Sequence, residues 1–221
     1  MSRTRRAFKR RDPVRDSSLV VIATEGSETE PRYFRTLSGP EHYRNSRIRV
    51  RVVPTEHNRS SPEHVLERVR KSADDLDITD GDQVFVVLDL DRWGDATLSK
   101  IARECTQSGY ELVVSTPCFE LWLLLHLSDP SDWSDEYLKL VRKNDRSSRN
   151  LRFIGAEILS YSPEFGKKNV TDPRFYERQS VERAITRASS LDVDPAQRWC
   201  SDLGTRVYRV VQVILAAHDT F

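Results

Sequence analysis

Two of the most apolar runs in the chain end in carboxylates. Leu19-Val20-Val21-Ile22-Ala23 leads into Thr24-Glu25-Gly26, and Val84-Phe85-Val86-Val87-Leu88 leads straight into Asp89-Leu90-Asp91. Near-continuous apolar runs of this length are the mark of strands buried on both faces. In open parallel sheets, sites form beyond the carboxyl ends of the strands, so Glu25, Asp89 and Asp91 are candidates to share one site. Residues two apart in a strand point the same way, which lets Asp89 and Asp91 face one point while Leu90 packs away. Asp95 and Glu120, after the third and fourth expected strands, could join the rim. Clustered carboxylates repel, and burying them uncompensated is costly. A hard divalent cation, Mg²⁺ or Mn²⁺, offsets that cost, and such a site suits chemistry at phosphate.

Each acid also has a plainer explanation. An aspartate after a strand is often a turn former or helix cap, and that is the better reading of Asp95. Ser27-Glu28-Thr29-Glu30 has the form of a capping box, which would make Glu30 structural. With Ser27 as cap, however, Pro31 would be the fourth helical residue, where its missing N–H is needed. A cap at Thr29 or Glu30 suits the proline and leaves Glu30 available to the site. The histidines form no ligand pair: His126 sits on an apolar helix, and His57-Asn58-Arg59 is a polar loop. No glycine-rich phosphate loop and no Ser-His-Asp arrangement is present.

The elements that must position these acids alternate in type. After the first strand a helix carries Tyr33, Phe34 and Leu37 and stops at Gly39-Pro40. Ile48, Val50 and Val52 alternate with Arg47, Arg49 and Arg51, the pattern of a strand with one wet face near a sheet edge. Ser61-Pro62 starts a second helix, serine as cap and proline as first helical residue. A third helix carries Leu98, Ile101, Ala102 and Cys105 and closes at Gly109. Leu112-Val113-Val114 is a fourth strand, followed by an apolar helix from Phe119 to Leu127. Beyond it the chain is polar, without a strand, then helical at Val181, Ala184, Ile185 and Ala188 and at Val207, Val210, Val211, Ile214 and Leu215. The expected fold class is α/β, a mostly parallel sheet flanked by helices, with a C-terminal helical portion. Three parts follow: a basic arm over 1–17, an α/β core over 18–127, and a helical portion over 128–221 packed on the core or closing it as a lid.

Composition sets bounds on the partners. The 221 residues are 38% hydrophobic and 31% charged with a net charge of +1, as in a globular protein and unlike a disordered polyion. Basic residues concentrate at the start, where Arg3, Arg5, Arg6, Lys9, Arg10, Arg11 and Arg15 crowd together. That run is either a solvated tail or an arm for nucleic-acid phosphates. Cys105, Cys118 and Cys200 form neither a metal-ligand spacing nor a disulfide framework, so a cytoplasmic setting is expected. The basic start lacks the apolar run of a signal peptide, and Leu121 to Leu127 is far short of the ~20 residues that span a bilayer. No membrane role is expected.

Taken in order, Lys9-Arg10-Arg11, the strand into EGSETEPRYF, then VFVVLDLD and VVSTPCFELWLLLH resemble the signature of RloB-like proteins. Lys167/Lys168 and Gly204-Thr205-Arg206-Val207 continue the likeness, while Thr116 stands where that pattern has asparagine. The resemblance implies a Toprim-like fold and an association with bacterial restriction and phage-defence loci. It implies a Toprim metal site on Glu25, Asp89 and Asp91, with Glu30 and Glu120 as further catalytic members and Mg²⁺ or Mn²⁺ as cofactor. The activity implied is phosphodiester cleavage in nucleic acid, tRNA or foreign DNA, with Arg5, Arg6, Lys9, Arg10, Arg11, Lys167 and Lys168 holding the substrate. The alternative is a non-catalytic nucleic-acid or partner-binding subunit working beside an ATPase; a homo-oligomer is compatible with either. DLDRWGDATL also resembles the aspartate-nucleophile motif of haloacid-dehalogenase-like phosphatases. That motif normally ends the first strand and has Thr or Val where this chain has Trp93, which disfavours the reading.

If the arm contacts phosphates, deleting residues 1–15 should weaken nucleic-acid binding and lower its salt slope by about 0.9 per lost contact on duplex DNA. The melting temperature should barely move, since a tail buries little. An unaltered slope would show that the arm is idle in binding.

Overall fold

The computed structural model describes residues 17–55, 61–90, 93–147, 151–166 and 168–218. At its centre β1 (Ser18–Thr24), β2 (Ile48–Val52), β3 (Gln83–Asp89) and β4 (Glu111–Thr116) run parallel, and β5 (Gly204–Thr205) runs antiparallel at one edge. The strand order is β2-β1-β3-β4-β5. Between them come α1 (Thr29–Leu37), α2 (Pro62–Asp75), α3 (Asp95–Gln107), α4 (Glu120–Leu127), α5 (Asp135–Lys143), α6 (Phe153–Tyr161), α7 (Arg178–Leu191) and α8 (Val207–His218). The expected α/β class with a mostly parallel sheet and helices on both faces is what the chain adopts.

Alternation along the buried strands divides the core in two. Val20, Ile22, Phe85 and Val87 point into one layer with residues of α1, α4, α7 and α8, whereas Leu19, Val21, Val84, Val86 and Leu88 face α2 and α3. This division follows from chain direction. The chain moves from β1 outward to β2, then back past β1 to β3, and right-handed crossovers therefore place α1 and α2 on opposite faces. The reversal leaves a crevice between the carboxyl ends of β1 and β3. β2 is an edge strand, as its alternation suggests: Arg49 and Arg51 are exposed between Ile48, Val50 and Val52, and edge charges discourage pairing with another sheet.

Local signals behave mostly as expected. Ser61 caps α2, its hydroxyl accepting from the His64 N–H at 3.4 Å, with Pro62 first in the helix. α1 begins one residue earlier than the proline suggested, with Glu28 as its N-cap. Pro31 is then the third helical residue, a position whose N–H has no intrahelical partner, so the proline costs nothing there. The segment after residue 127 holds three named elements that periodicity did not mark, α5, α6 and the two-residue β5. One hydrophobic cluster runs through this segment and the α1 face of the sheet, so Val113 and Phe34 share a core with Ile158, Val181 and Val211. Within it, Tyr33 of α1 packs against Phe119, Trp122, His126 and Tyr176 at centroid distances of 5.6 to 6.3 Å. Burial lowers the His126 pKa to about 3, so this core histidine stays neutral. Cys105, Cys118 and Cys200 are free and buried, and burial raises the Cys105 and Cys200 thiols to about 11. No helix among the described residues is long and apolar enough to cross a membrane.

A buried ion pair secures the last strand. Arg206, directly after β5, donates to both oxygens of Asp192 at 2.9 and 3.0 Å, and the two side chains are 3% and 1% exposed. Burial alone would raise the Asp192 carboxyl, but hydrogen bonds from Arg206 and Tyr208 outweigh it and hold the pKa below the ordinary value. Removing Arg206 leaves the Asp192 charge in the core with the Tyr208 hydroxyl and, at 3.4 Å, Arg209 as weaker partners. Arg206→Met should therefore cost about 3–5 kcal/mol, read from the shift in denaturation midpoint. Adding Asp192→Leu should recover part of that loss. A midpoint unmoved by Arg206→Met would show that the pair contributes nothing to stability.

Candidate functional site

Glu25 and Asp89 stand at the carboxyl ends of β1 and β3, on the two sides of the crevice. Glu25 follows β1 and is 2% exposed. Its backbone N–H donates to the Val87 carbonyl at 3.0 Å, extending the β1–β3 ladder past the last strand residue. One carboxylate oxygen, Oε2, accepts from the Asp89 N–H at 3.2 Å and from the Trp93 indole N–H at 2.9 Å. Glu25 thereby ties the end of β1 to the end of β3 and to the segment beyond it. Asp89 is the last residue of β3 and partly exposed, with Ser115 of β4 opposite it in register.

Two more acids come from helix starts. Glu30 is the second residue of α1, 8% exposed, and its Oε1 accepts from the Gly26 N–H at 3.0 Å. It is neither a cap nor part of a capping box; it reaches back over the turn that follows Glu25. A Cβ at Gly26 would fall 2.1 Å from the Glu30 Oε2, so only glycine lets this carboxyl close over the turn. Glu120 is the first residue of α4. Burial, and after it the charge of Glu120, push the Glu30 pKa up to about 7; the charge of Glu25 adds a smaller rise, against hydrogen bonds from the backbone that oppose it. Glu25 and Glu120 therefore both lie within electrostatic reach of Glu30.

Several residues without charge or with the opposite charge frame the turn. The hydroxyls of Thr24 and Thr55 both donate to the Gly26 carbonyl, at 2.9 and 3.0 Å. Arg68 of α2 donates to the carbonyls of Thr24 and Pro54 at 2.9 and 3.3 Å, clamping the ends of β1 and of the segment after β2. Sequence reasoning did not single out Thr55 or Arg68, and it used Trp93 only to weigh the phosphatase motif. An indole directly after an acidic strand end was the one available signal. Asp95 is exposed in the first turn of α3, and the cap there is Gly94.

The placement of the other expected residues is mixed. Lys168 is exposed and lines a pocket of about 330 Å³ with Ser27, Glu28, Arg32 and Arg35, next to the Glu25 turn. Asp91, Lys167, His57 and the arm residues Arg5, Arg6, Lys9, Arg10 and Arg11 lie outside the described residues. Among the described residues, no three His, Cys, Asp or Glu side chains stand together closely enough to hold a metal ion. The donors present are all carboxylate oxygens, and burial, with the charges of Glu120 and Glu25 behind it, keeps a proton on Glu30, so their chemistry fits a hard cation.

The fold and site define a class: an α/β protein whose parallel strands bring acids to the crevice where chain direction reverses. The chain belongs to the RloB-like family, whose model matches residues 20–214. No curated protein and no solved structure matches it.

The crowding of acids has a measurable consequence. Folding raises the Glu30 pKa from 4.5 to about 7, so between those values the folded protein keeps a proton that the unfolded chain has released. Stability therefore falls as pH rises through that window. Glu30→Gln cannot ionise and should escape the loss. In EDTA its melting temperature should match the wild type at pH 4 and exceed it by roughly 5 °C at pH 8. A gap that fails to widen with pH would show that Glu30 is not held protonated.

Proposed function

We propose that this chain is a divalent-metal-dependent nuclease that cleaves phosphodiester bonds of nucleic acid, tRNA or foreign DNA, in bacterial defence against phage. The observation that carries the reading is the gathering of Glu25, Glu30 and Glu120 with Asp89 at the carboxyl ends of β1 and β3. In an open sheet the reversal of chain direction is where ligands bind, and these acids line that point. Membership of the RloB-like family supports the defence role.

Glu25, Asp89 and Asp91 would hold Mg²⁺ or Mn²⁺. When bound, such an ion supplies charge stabilisation on the phosphoryl oxygens and activates water. Glu25 sits rigidly, because two N–H groups fix one of its oxygens and the β1–β3 ladder fixes its backbone. Glu30 holds a proton near neutral pH, which suits an acid or base at phosphate. Glu120, at the first turn of α4, keeps the field at that point negative. Lys168 would meet the substrate backbone beside the Glu25 turn.

Asp89→Asn separates this role from a structural one. The change removes a negative charge from a crowded edge while keeping size, so the variant should fold with equal or slightly higher stability in EDTA. It should lose both Mg²⁺-induced stabilisation and cleavage of plasmid or bulk tRNA. Mg²⁺ and Mn²⁺ should support activity where Zn²⁺ does not, since the ligands are hard oxygens. A variant that still cuts at the wild-type rate would sink the assignment, and nucleic-acid binding without turnover by the wild type would favour the non-catalytic alternative beside an ATPase.

A further inference from the structure

The antiparallel register of β5 has a positional effect. Gly204 lies opposite Thr116, the last residue of β4, so the chain enters β5 from the carboxyl edge of the sheet. The segment between α7 and β5 therefore lies at the same edge as the acids. It is held firmly. Arg206 donates to the carbonyls of Gln197 and Asp194 at 2.6 and 3.2 Å, and the Thr116 hydroxyl donates to the Cys200 carbonyl at 2.6 Å. With its backbone fixed, the segment turns Gln197, Arg198, Trp199 and Ser201 toward α3. Between them is a cavity of about 370 Å³, whose other wall is Leu90, Asp95 and Ser99. Leu90 directly follows Asp89, so the inner end of the cavity begins one residue beyond the end of β3.

The groove continues outward. Arg198 also lines a second cavity of about 330 Å³ with Ala102, Arg103, Thr106 and Gln107. Asp95, Ser99, Ala102, Arg103 and Thr106 are spaced to share one side of α3, and at 1.5 Å per residue they cover about 16 Å. The chemistry along this path is specific. Trp199 is partly exposed, packs against the α3-side core and shares a cavity wall with Leu90, so its ring is a supported platform. Arg70 nearby is engaged, pairing with Glu104 at 3.1 Å. Arg103 and Arg198 are exposed, and among the described residues neither forms an ion pair. Asp95 at the inner end would repel phosphate but accept N–H or O–H from a base or sugar. A fixed aromatic face, two unpaired guanidinium groups and short polar side chains in an open groove are what a single strand of nucleic acid needs. A duplex has its bases stacked inward and gains nothing from the indole.

We propose that the groove between α3 and the 197–201 segment is the track along which a single strand of nucleic acid reaches the acids, with a base stacked on Trp199 and phosphates at Arg198 and Arg103. The inference rests on the nucleic-acid reading of the acid site and adds which form of substrate that site takes. It lies on the opposite face of the sheet from the Lys168 pocket, so the two basic walls flank the acids from either side.

The test is fluorescence anisotropy of a labelled 12-nucleotide single strand, RNA and DNA separately, titrated with the full chain in EDTA. Trp199→Ala should weaken binding by about 10-fold or more, and Trp199→Phe, which keeps a stacking face, should restore most of it. Arg103→Glu with Arg198→Glu should flatten the salt slope by at least about 1.4, two single-strand phosphate contacts. Asp89→Asn should bind the strand at least as well as the wild type. Unchanged affinity and slope in the groove variants, no binding by the wild type, or equal and Trp199-independent binding of a duplex would each overturn the track. The two readings fail separately. If the groove variants bind normally while Asp89→Asn abolishes cleavage, the track falls and the metal site stands; if Asp89→Asn cuts normally while Trp199→Ala loses the strand, the reverse holds.

Discussion

Like charges at one edge of the sheet are the constraint around which the rest is arranged. Glu25, Glu30 and Glu120 come from a strand end and two helix starts, and burial together with the charges of Glu120 and Glu25 keeps a proton on Glu30 near neutral pH. An arrangement that opposes itself electrostatically must be held by forces that do not involve the acids. Here those forces are apolar. Tyr33 of α1 packs on Phe119, just before α4, and on Trp122 within it, so the helices that carry Glu30 and Glu120 are fixed by an aromatic cluster behind the acids. Glu25 is fixed by the backbone ladder between β1 and β3. Burial of such large rings contributes far more than the repulsion costs.

The same edge is closed from the far end of the chain. β5 contributes only two residues to the sheet, yet its register brings the 193–203 segment beside β3 and α3. Arg206 is the pivot, since one guanidinium pairs with Asp192 and also holds two carbonyls of that segment. A surface loop would ordinarily be the most variable part of a site. Here a buried side chain gives it the fixity of an element.

Much of the sheet was legible because burial on both faces leaves a plain mark. Runs such as Val84 to Leu88 cannot alternate, and the acid that ends each run is automatically at the carboxyl edge. The edge position of β2 was equally plain, since Arg49 and Arg51 can only face water. What stayed hidden depends on partners distant in sequence. Two residues carry no period, so β5 was invisible, and the Asp192–Arg206 pair looks like two ordinary surface charges until the chain folds. The bond from Gly26 to Glu30 was masked by a false capping box, which Pro31 correctly argued against while shifting the expected cap too far along. Trp199 lay in a polar stretch without periodicity, and a lone indole there was the only hint that the stretch has a fixed surface.

The Ser115 hydroxyl meets that of Thr205 across 90 positions of sequence at 2.7 Å. During synthesis the first four strands emerge long before their last neighbour. At that stage β4 is an open edge, with the inward face of the sheet lacking α7 and α8. A ribosome-bound chain therefore carries the acids of β1 and β3 well before it can build the wall opposite α3. Long-range closure of this kind is slow and leaves strand edges exposed to other chains. A chain cut short after α7 would lack both β5 and α8, leaving the β4 edge unpaired and the α1-side core without Val207, Val210, Val211, Ile214 and Leu215.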